Sequence, residues 1–124
     1  MNARTILYVE YNNLNRELVR DLLRHTRYRL LEASDGEAGV AMALAECPDL
    51  ILMDVQLPKV SGIEAMRRLR QAPGTALAPI IAITSFALSG DEQRAREAGA
   101  SAYLAKPFSP FELLDMIRRL APES

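Results

Sequence analysis

Five short apolar runs recur along the chain, each followed by a longer segment with helical spacing, and this alternation restricts the fold more than any other feature. Thr5 to Val9 is rich in β-branched and aromatic residues and reads as a strand. Tyr28 to Ala33 is a second, mixed strand. Leu50 to Met53 is continuously apolar, as expected for a central parallel strand covered on both faces. Pro79 to Thr84 has the same character, with the proline at its edge, where a missing N–H does least harm. Ala102 to Ala105 is a short fifth strand.

The intervening segments carry helical stripes. Leu14, Leu18 and Leu22 recur every four residues, among Arg16, Glu17, Arg20 and Asp21. Ala38, Ala41, Met42 and Ala45 form a second stripe, and Ile63, Met66 and Leu69 a third. Ala95 and Ala98 mark a fourth. Leu113, Met116, Ile117 and Leu120 form the fifth. Four helix starts read Ser-x-x-Glu, beginning at Ser34, Ser61, Ser89 and Ser109, the pattern of a capping box. Pro110 falls at the first helical position, where proline is favoured. Five β-α units in succession predict an α/β domain with a parallel sheet, helices on both faces and right-handed crossovers.

With 124 residues, the chain suits a single domain spanning 1–124. Fifteen basic and sixteen acidic residues give a formal net charge of -1, so no global field favours nucleic acid or an anionic membrane. Arg67, Arg68 and Arg70 form a local basic patch, read as a solvated helix face. No apolar stretch approaches the length of a membrane span, and the N-terminus lacks a signal-peptide pattern. The single cysteine, Cys47, excludes an internal disulfide and is read as a small packed or edge residue. These features predict a cytoplasmic protein. His25 closes the first helical pattern, where a cation suits the helix dipole.

In an open α/β sheet, ligands bind beyond the carboxyl ends of the strands. Strand one ends at Glu10 and Tyr11, strand three at Asp54, strand four at Thr84 and Ser85, and strand five at Lys106 and Pro107. Two carboxylates, a hydroxyl and an ammonium therefore meet on one rim. Paired carboxylates repel unless a cation or proton intervenes, and Mg²⁺ prefers oxygen ligands. A carboxylate can accept a phosphoryl group as a nucleophile. Thr84 can hydrogen-bond a phosphoryl oxygen, and Lys106 can offset its charge. Each residue taken singly has an ordinary structural reading; their joint placement on successive strand ends points to phosphoryl chemistry.

These residues resemble the response-regulator receiver family, most of all its single-domain cell-division members. The resemblance rests on Ile6 to Glu10, Pro48 to Asp54, Leu57-Pro58 with Ser61-Gly62, Pro79 to Thr84, Gly90 to Glu92, Ala98 to Ala100 and Tyr103 to Phe108. It implies a flavodoxin-like sheet of strand order 2-1-3-4-5, no output domain, and a switch rather than an enzyme with its own substrate. It implies that Asp54 is the phosphoacceptor, that Thr84 and Lys106 sense the phosphoryl group, and that Tyr103 is the switch aromatic. Glu10, Asp54 and the backbone carbonyl of Gln56 match the Mg²⁺ positions. A cis Lys106–Pro107 bond is expected by the same analogy. The implied partners are a histidine kinase or histidine phosphotransfer protein, a downstream protein target on the face of helix 4, strand 5 and helix 5, and a second copy of the chain in a homodimer. Phe86, Ala87, Leu88 and Tyr103 lie near that face.

One position departs from the family pattern. Tyr11 stands where a second acidic metal ligand is usual. A phenol ordinarily ionises only near pH 10, so it is neutral near pH 7 and a poor Mg²⁺ ligand; its ring is bulky enough to cover the site. Three readings follow. Glu10 rotates and substitutes, leaving weak Mg²⁺ binding. The site lacks metal, and the chain is a phosphorylation-independent interaction module. Or Tyr11 is a substitution in an otherwise ordinary receiver. Impaired metal binding is the expectation adopted. A flavodoxin-like or phosphatase-like enzyme is disfavoured, because no Gly-rich phosphate loop follows strand one.

Overall fold

The computed structural model describes residues 3–85 and 90–123. In chain order it contains β1 (Thr5–Val9), α1 (Asn13–Leu23), β2 (Arg29–Ala33), α2 (Gly36–Glu46), β3 (Leu50–Asp54), α3 (Gly62–Gln71), β4 (Ile80–Thr84), α4 (Asp91–Ala98), β5 (Ala102–Ala105) and α5 (Pro110–Leu120). The strands form one parallel sheet in the order β2-β1-β3-β4-β5, as the resemblance implied. Every residue of β3 and β4 is buried, which accounts for their unbroken apolar runs.

Alternation along the strands divides the core. Leu7, Val9, Ile51 and Met53 face α2, α3 and α4, where Val40, Met66, Leu69 and Ala95 cover them. Ile6, Tyr8, Leu50, Leu52, Ile81 and Ile83 face α1 and α5, against Val19, Leu23, Leu113 and Ile117.

The structure corrects several helix readings. The buried side of α1 is Val19 and Leu23, whereas Leu14 and Leu18 are each 67% exposed. A period of four drifts around a helix of 3.6 residues per turn, so Leu14 and Leu18 lie on the outer face while Leu22 turns partly against the core. In α2, Gly36, Gly39, Val40 and Ala43 are buried, while Ala41 and Ala45 are exposed. Gly39 permits that contact, since a Cβ there would stand 2.8 Å from both methyls of Val9. Arg70 is not part of a solvated face: its guanidinium donates to the backbone carbonyls of Gly99, Thr75, Ala76 and Ala78. Arg68 and Arg67 do remain outside, paired with Glu64. Cys47 is exposed, at the left-handed C-cap of α2.

The caps also differ in detail. Ser61 accepts from Glu64 N–H as expected, but the Glu64 carboxylate turns to Arg68. Asp35, not Ser34, caps α2 by accepting from Ala38 N–H. Ser109 caps α5 through Phe111 N–H, with Pro110 in the first turn. Ser89 lies outside the described residues, as do Phe86, Ala87 and Leu88. The N-cap of α4 is Gly90, at φ 96, a left-handed conformation that glycine adopts without a Cβ penalty. His25 falls beyond the end of α1. No helix among the described residues is long and apolar enough to cross a membrane.

Candidate functional site

Asp54 is the last residue of β3, in register with Ile83 of β4. Thr84 ends β4 opposite Ala105 of β5, and Lys106 follows at once, its N–H bonded to the Thr84 carbonyl at 2.7 Å. Glu10 follows β1, its N–H bonded to Ala33 O. The parallel register thus delivers Glu10, Asp54, Thr84 and Lys106 to one edge of the sheet. Glu10 and Asp54 are each 3% exposed, and Thr84 is fully buried. The Lys106–Pro107 peptide is cis.

The Lys106 ammonium joins the two acids. It donates to Asp54 Oδ2 at 2.7 Å and to Glu10 Oε1. Asp54 Oδ1 accepts from Gln56 N–H at 2.8 Å. Glu10 Oε1 also accepts from the Tyr8 hydroxyl at 3.1 Å and Asn15 Nδ2 at 3.4 Å, and Oε2 accepts from Asn12 N–H at 3.1 Å. Arg16 secures the loop beneath by donating to the carbonyls of Glu10 and Tyr11.

Burial and repulsion set the ionisation of this cluster. Burial raises the Asp54 carboxyl, Lys106 opposes that, and Glu10 adds to it, leaving Asp54 pushed up to about 6. Burial also raises Glu10, but hydrogen bonds led by that from Lys106 outweigh it and hold Glu10 below its ordinary value. Burial works against the Lys106 charge, yet Asp54 and Glu10 together hold its pKa above the ordinary value. Burial, followed by the nearby Glu10 charge, keeps the Tyr8 hydroxyl protonated.

Gln56 contributes a side-chain contact beyond the backbone role expected of it: its amide nitrogen reaches Thr84 Oγ1 at 3.1 Å. Tyr103 of β5 is half-buried against the α2-α3-α4 side of the core. Tyr11 corrects the expectation of a ring covering the site, because it is 66% exposed and turned to solvent. Among the described residues, no three His, Cys, Asp or Glu side chains are grouped to hold a metal ion. Two carboxylates remain, and each carboxylate oxygen has two lone-pair directions. Glu10 Oε2 and Asp54 Oδ1 each accept one bond among those described above, so hard oxygen donors suited to Mg²⁺ are present.

Sequence reasoning missed Tyr8 and Asn15. The signal for Tyr8 was available: residues two apart on a strand share a face, which puts Tyr8 on the Glu10 side of the sheet. A groove of about 410 Å³ adjoins the site, running from Ser85 and Lys106 past Pro107 and Phe108 to Leu18 and Leu22 of α1.

A parallel sheet in this order, with an acid cluster bridged by a lysine ahead of a cis proline, defines a receiver-type domain, and the chain belongs to the response-regulator receiver family, whose domain description matches residues 6–118. Among its relatives is the polar-differentiation response regulator DivK of Brucella ovis, 39% identical over 116 residues, covering 94% of each chain. Among solved structures, the receiver domain of a Pseudomonas aeruginosa PAO1 sensor histidine kinase, with a magnesium ion coordinated in its active-site cleft, is 38% identical with a TM-score of 0.88, over 94% of this chain and 96% of that one. The Vibrio cholerae chemotaxis protein CheY4 is 28% identical with the same TM-score of 0.88, over 94% and 98%.

Proposed function

We propose that the chain is a phosphoryl-accepting switch in a two-component relay, with Asp54 as acceptor. The observation that carries this reading is the Lys106 ammonium bridging the buried carboxylates of Asp54 and Glu10. An Asp54 oxygen attacks the phosphorus of a phosphohistidine on a kinase or phosphotransfer protein. A P–O bond forms, the P–N bond breaks, and the histidine nitrogen leaves with the electron pair and takes up a proton. Lys106 offsets the charge brought to Asp54, and the Thr84 hydroxyl, released from Gln56, donates to a phosphoryl oxygen. Tyr103 relays the movement of Thr84 to the α4-β5-α5 face, where a downstream protein binds. Glu10, Asp54 and the Gln56 carbonyl would hold Mg²⁺, which stabilises charge developing on the transferring group. Tyr11 makes that binding weak. The chain modifies itself and turns over no separate substrate.

The exposed Leu18 lines the groove that opens at Lys106, and Leu14 is exposed one turn earlier on the same helix, which suits this face to receiving the phosphohistidine donor. The test is incubation with Mg²⁺ and acetyl phosphate or a phosphohistidine protein. Intact mass rises by one phosphoryl group in the native chain and not in Asp54→Asn; a chain that never gains the mass refutes the reading. The outward Tyr11 side chain favours a second reading, a phosphorylation-independent interaction module. That reading requires partner binding indifferent to Mg²⁺ and phosphodonor, and a large affinity change on phosphorylation rules it out.

A further inference from the structure

One buried group at the site has no part in the phosphoryl step described above. Tyr8 lies in β1, between β2 and β3, and is 0% exposed. Phenylalanine would fill the same space. A buried tyrosine hydroxyl requires a partner, and the partner here is a buried charge, Glu10 Oε1, at 3.1 Å. Hydrogen bonds to charged groups are stronger than neutral ones.

The arrangement matters because Lys106 is shared. Its ammonium donates to Glu10 and Asp54 together. A phosphoryl group on Asp54 adds negative charge beside that ammonium and draws it away from Glu10. A buried carboxylate that loses its cation is costly. Beside the weakly held Mg²⁺, three donors of the chain itself then hold Glu10: Asn12 N–H, Asn15 Nδ2 and the Tyr8 hydroxyl. Of these residues Tyr8 alone is itself buried; Asn12 is exposed and Asn15 half-buried. The outward Tyr11 leaves Glu10 as the acid that must keep its place beside Asp54.

We propose that Tyr8 is a positioning residue, whose hydroxyl keeps the Glu10 carboxylate satisfied and in place while Lys106 passes from Glu10 to the phosphoryl group on Asp54. The inference rests on the phosphoacceptor reading for its consequence, and on the Tyr8–Glu10 contact for its origin. The contact exists before modification, but it carries more of the Glu10 charge afterwards. Loss of the hydroxyl therefore penalises the phosphorylated form more than the resting form.

The test is a double-mutant cycle on the full chain with Tyr8→Phe, Glu10→Gln and both together, which isolates the coupling between the two residues. Phosphorylation by acetyl phosphate in excess Mg²⁺ is followed by intact mass. The expected result is that Tyr8→Phe slows phosphorylation about 3- to 10-fold, the differential part of one charged hydrogen bond, and changes it less than about twofold in the Glu10→Gln background. Unchanged rate in Tyr8→Phe, or an equal loss in both backgrounds, overturns the proposal. A native chain that gains no phosphoryl mass refutes the acceptor reading instead. In that case, or if Glu10→Gln gains none, the unmodified protein decides the tether: Tyr8→Phe must move the Glu10 carboxyl-carbon NMR signal while leaving that of Asp49 in place. An unmoved Glu10 signal overturns it.

Discussion

Replacing Asp54 by asparagine should stabilise the metal-free protein, and the gain should grow as pH rises from about 5 to about 7.5. The structure places this carboxyl at 3% exposure beside a second acid, and its pKa rises from 3.8 to about 6. The folded state therefore binds the proton more tightly than the unfolded state. Between those two values the native protein holds more protons, so stability falls as pH rises and levels off above the folded pKa. At 1.36 kcal/mol per unit the full difference is about 3 kcal/mol, of which about half develops between about pH 5 and pH 7.5. Glu10 has the opposite sign, since its lowered pKa contributes stability above its ordinary 4.5 that is lost as pH falls through the folded value. Its window lies below the one chosen. Asparagine cannot ionise, so the difference between the two proteins isolates Asp54. The assay is urea unfolding of both proteins with a chelator, across that pH range. Parallel stability curves, with a constant offset, would refute the claim that burial and Glu10 outweigh Lys106 at Asp54.

Tyr11→Asp should tighten Mg²⁺ binding by about tenfold or more, about 1.4 kcal/mol, because it restores an anionic oxygen at the rim; calorimetric titration giving an unchanged Kd would contradict this. Gly62→Ala should destabilise the chain by about 1–3 kcal/mol in chemical unfolding, since its Cβ would stand 2.0 Å from the Asp54 carbonyl oxygen and 2.8 Å from Val55 Cα; native stability would show that α3 can shift away from β3 freely. Leu18→Glu should lower the rate of transfer from a phosphohistidine protein, relative to that from acetyl phosphate, by about fivefold or more, as for a central interface residue; an unchanged ratio would remove α1 from the donor face.

The order of strands and helices was legible because each β-strand of this sheet carries a distinct apolar run, and both central runs are buried on two sides. The acid, hydroxyl and lysine of the site were legible for a related reason: each sits at a strand end, and a parallel sheet gathers its strand ends on one edge. The exposed leucines of α1 were not, because identical residues can line either the core or a partner surface, and only the packing of Val19 and Leu23 decides which. Arg70 was misread on the same ground, since its carbonyl partners lie in the loop that folds back after α3 and at Gly99 beyond α4, and only the tertiary fold brings both to its guanidinium. Sequence determined that a phenol, Tyr11, follows Glu10 where the family resemblance implies an acid, and that a phenol is neutral near pH 7. Tertiary structure decided that the Tyr11 ring turns to solvent and that Tyr8 reaches Glu10. Those outcomes depend on where the backbone aims each side chain, which is set by the register of β1 and the loop held by Arg16.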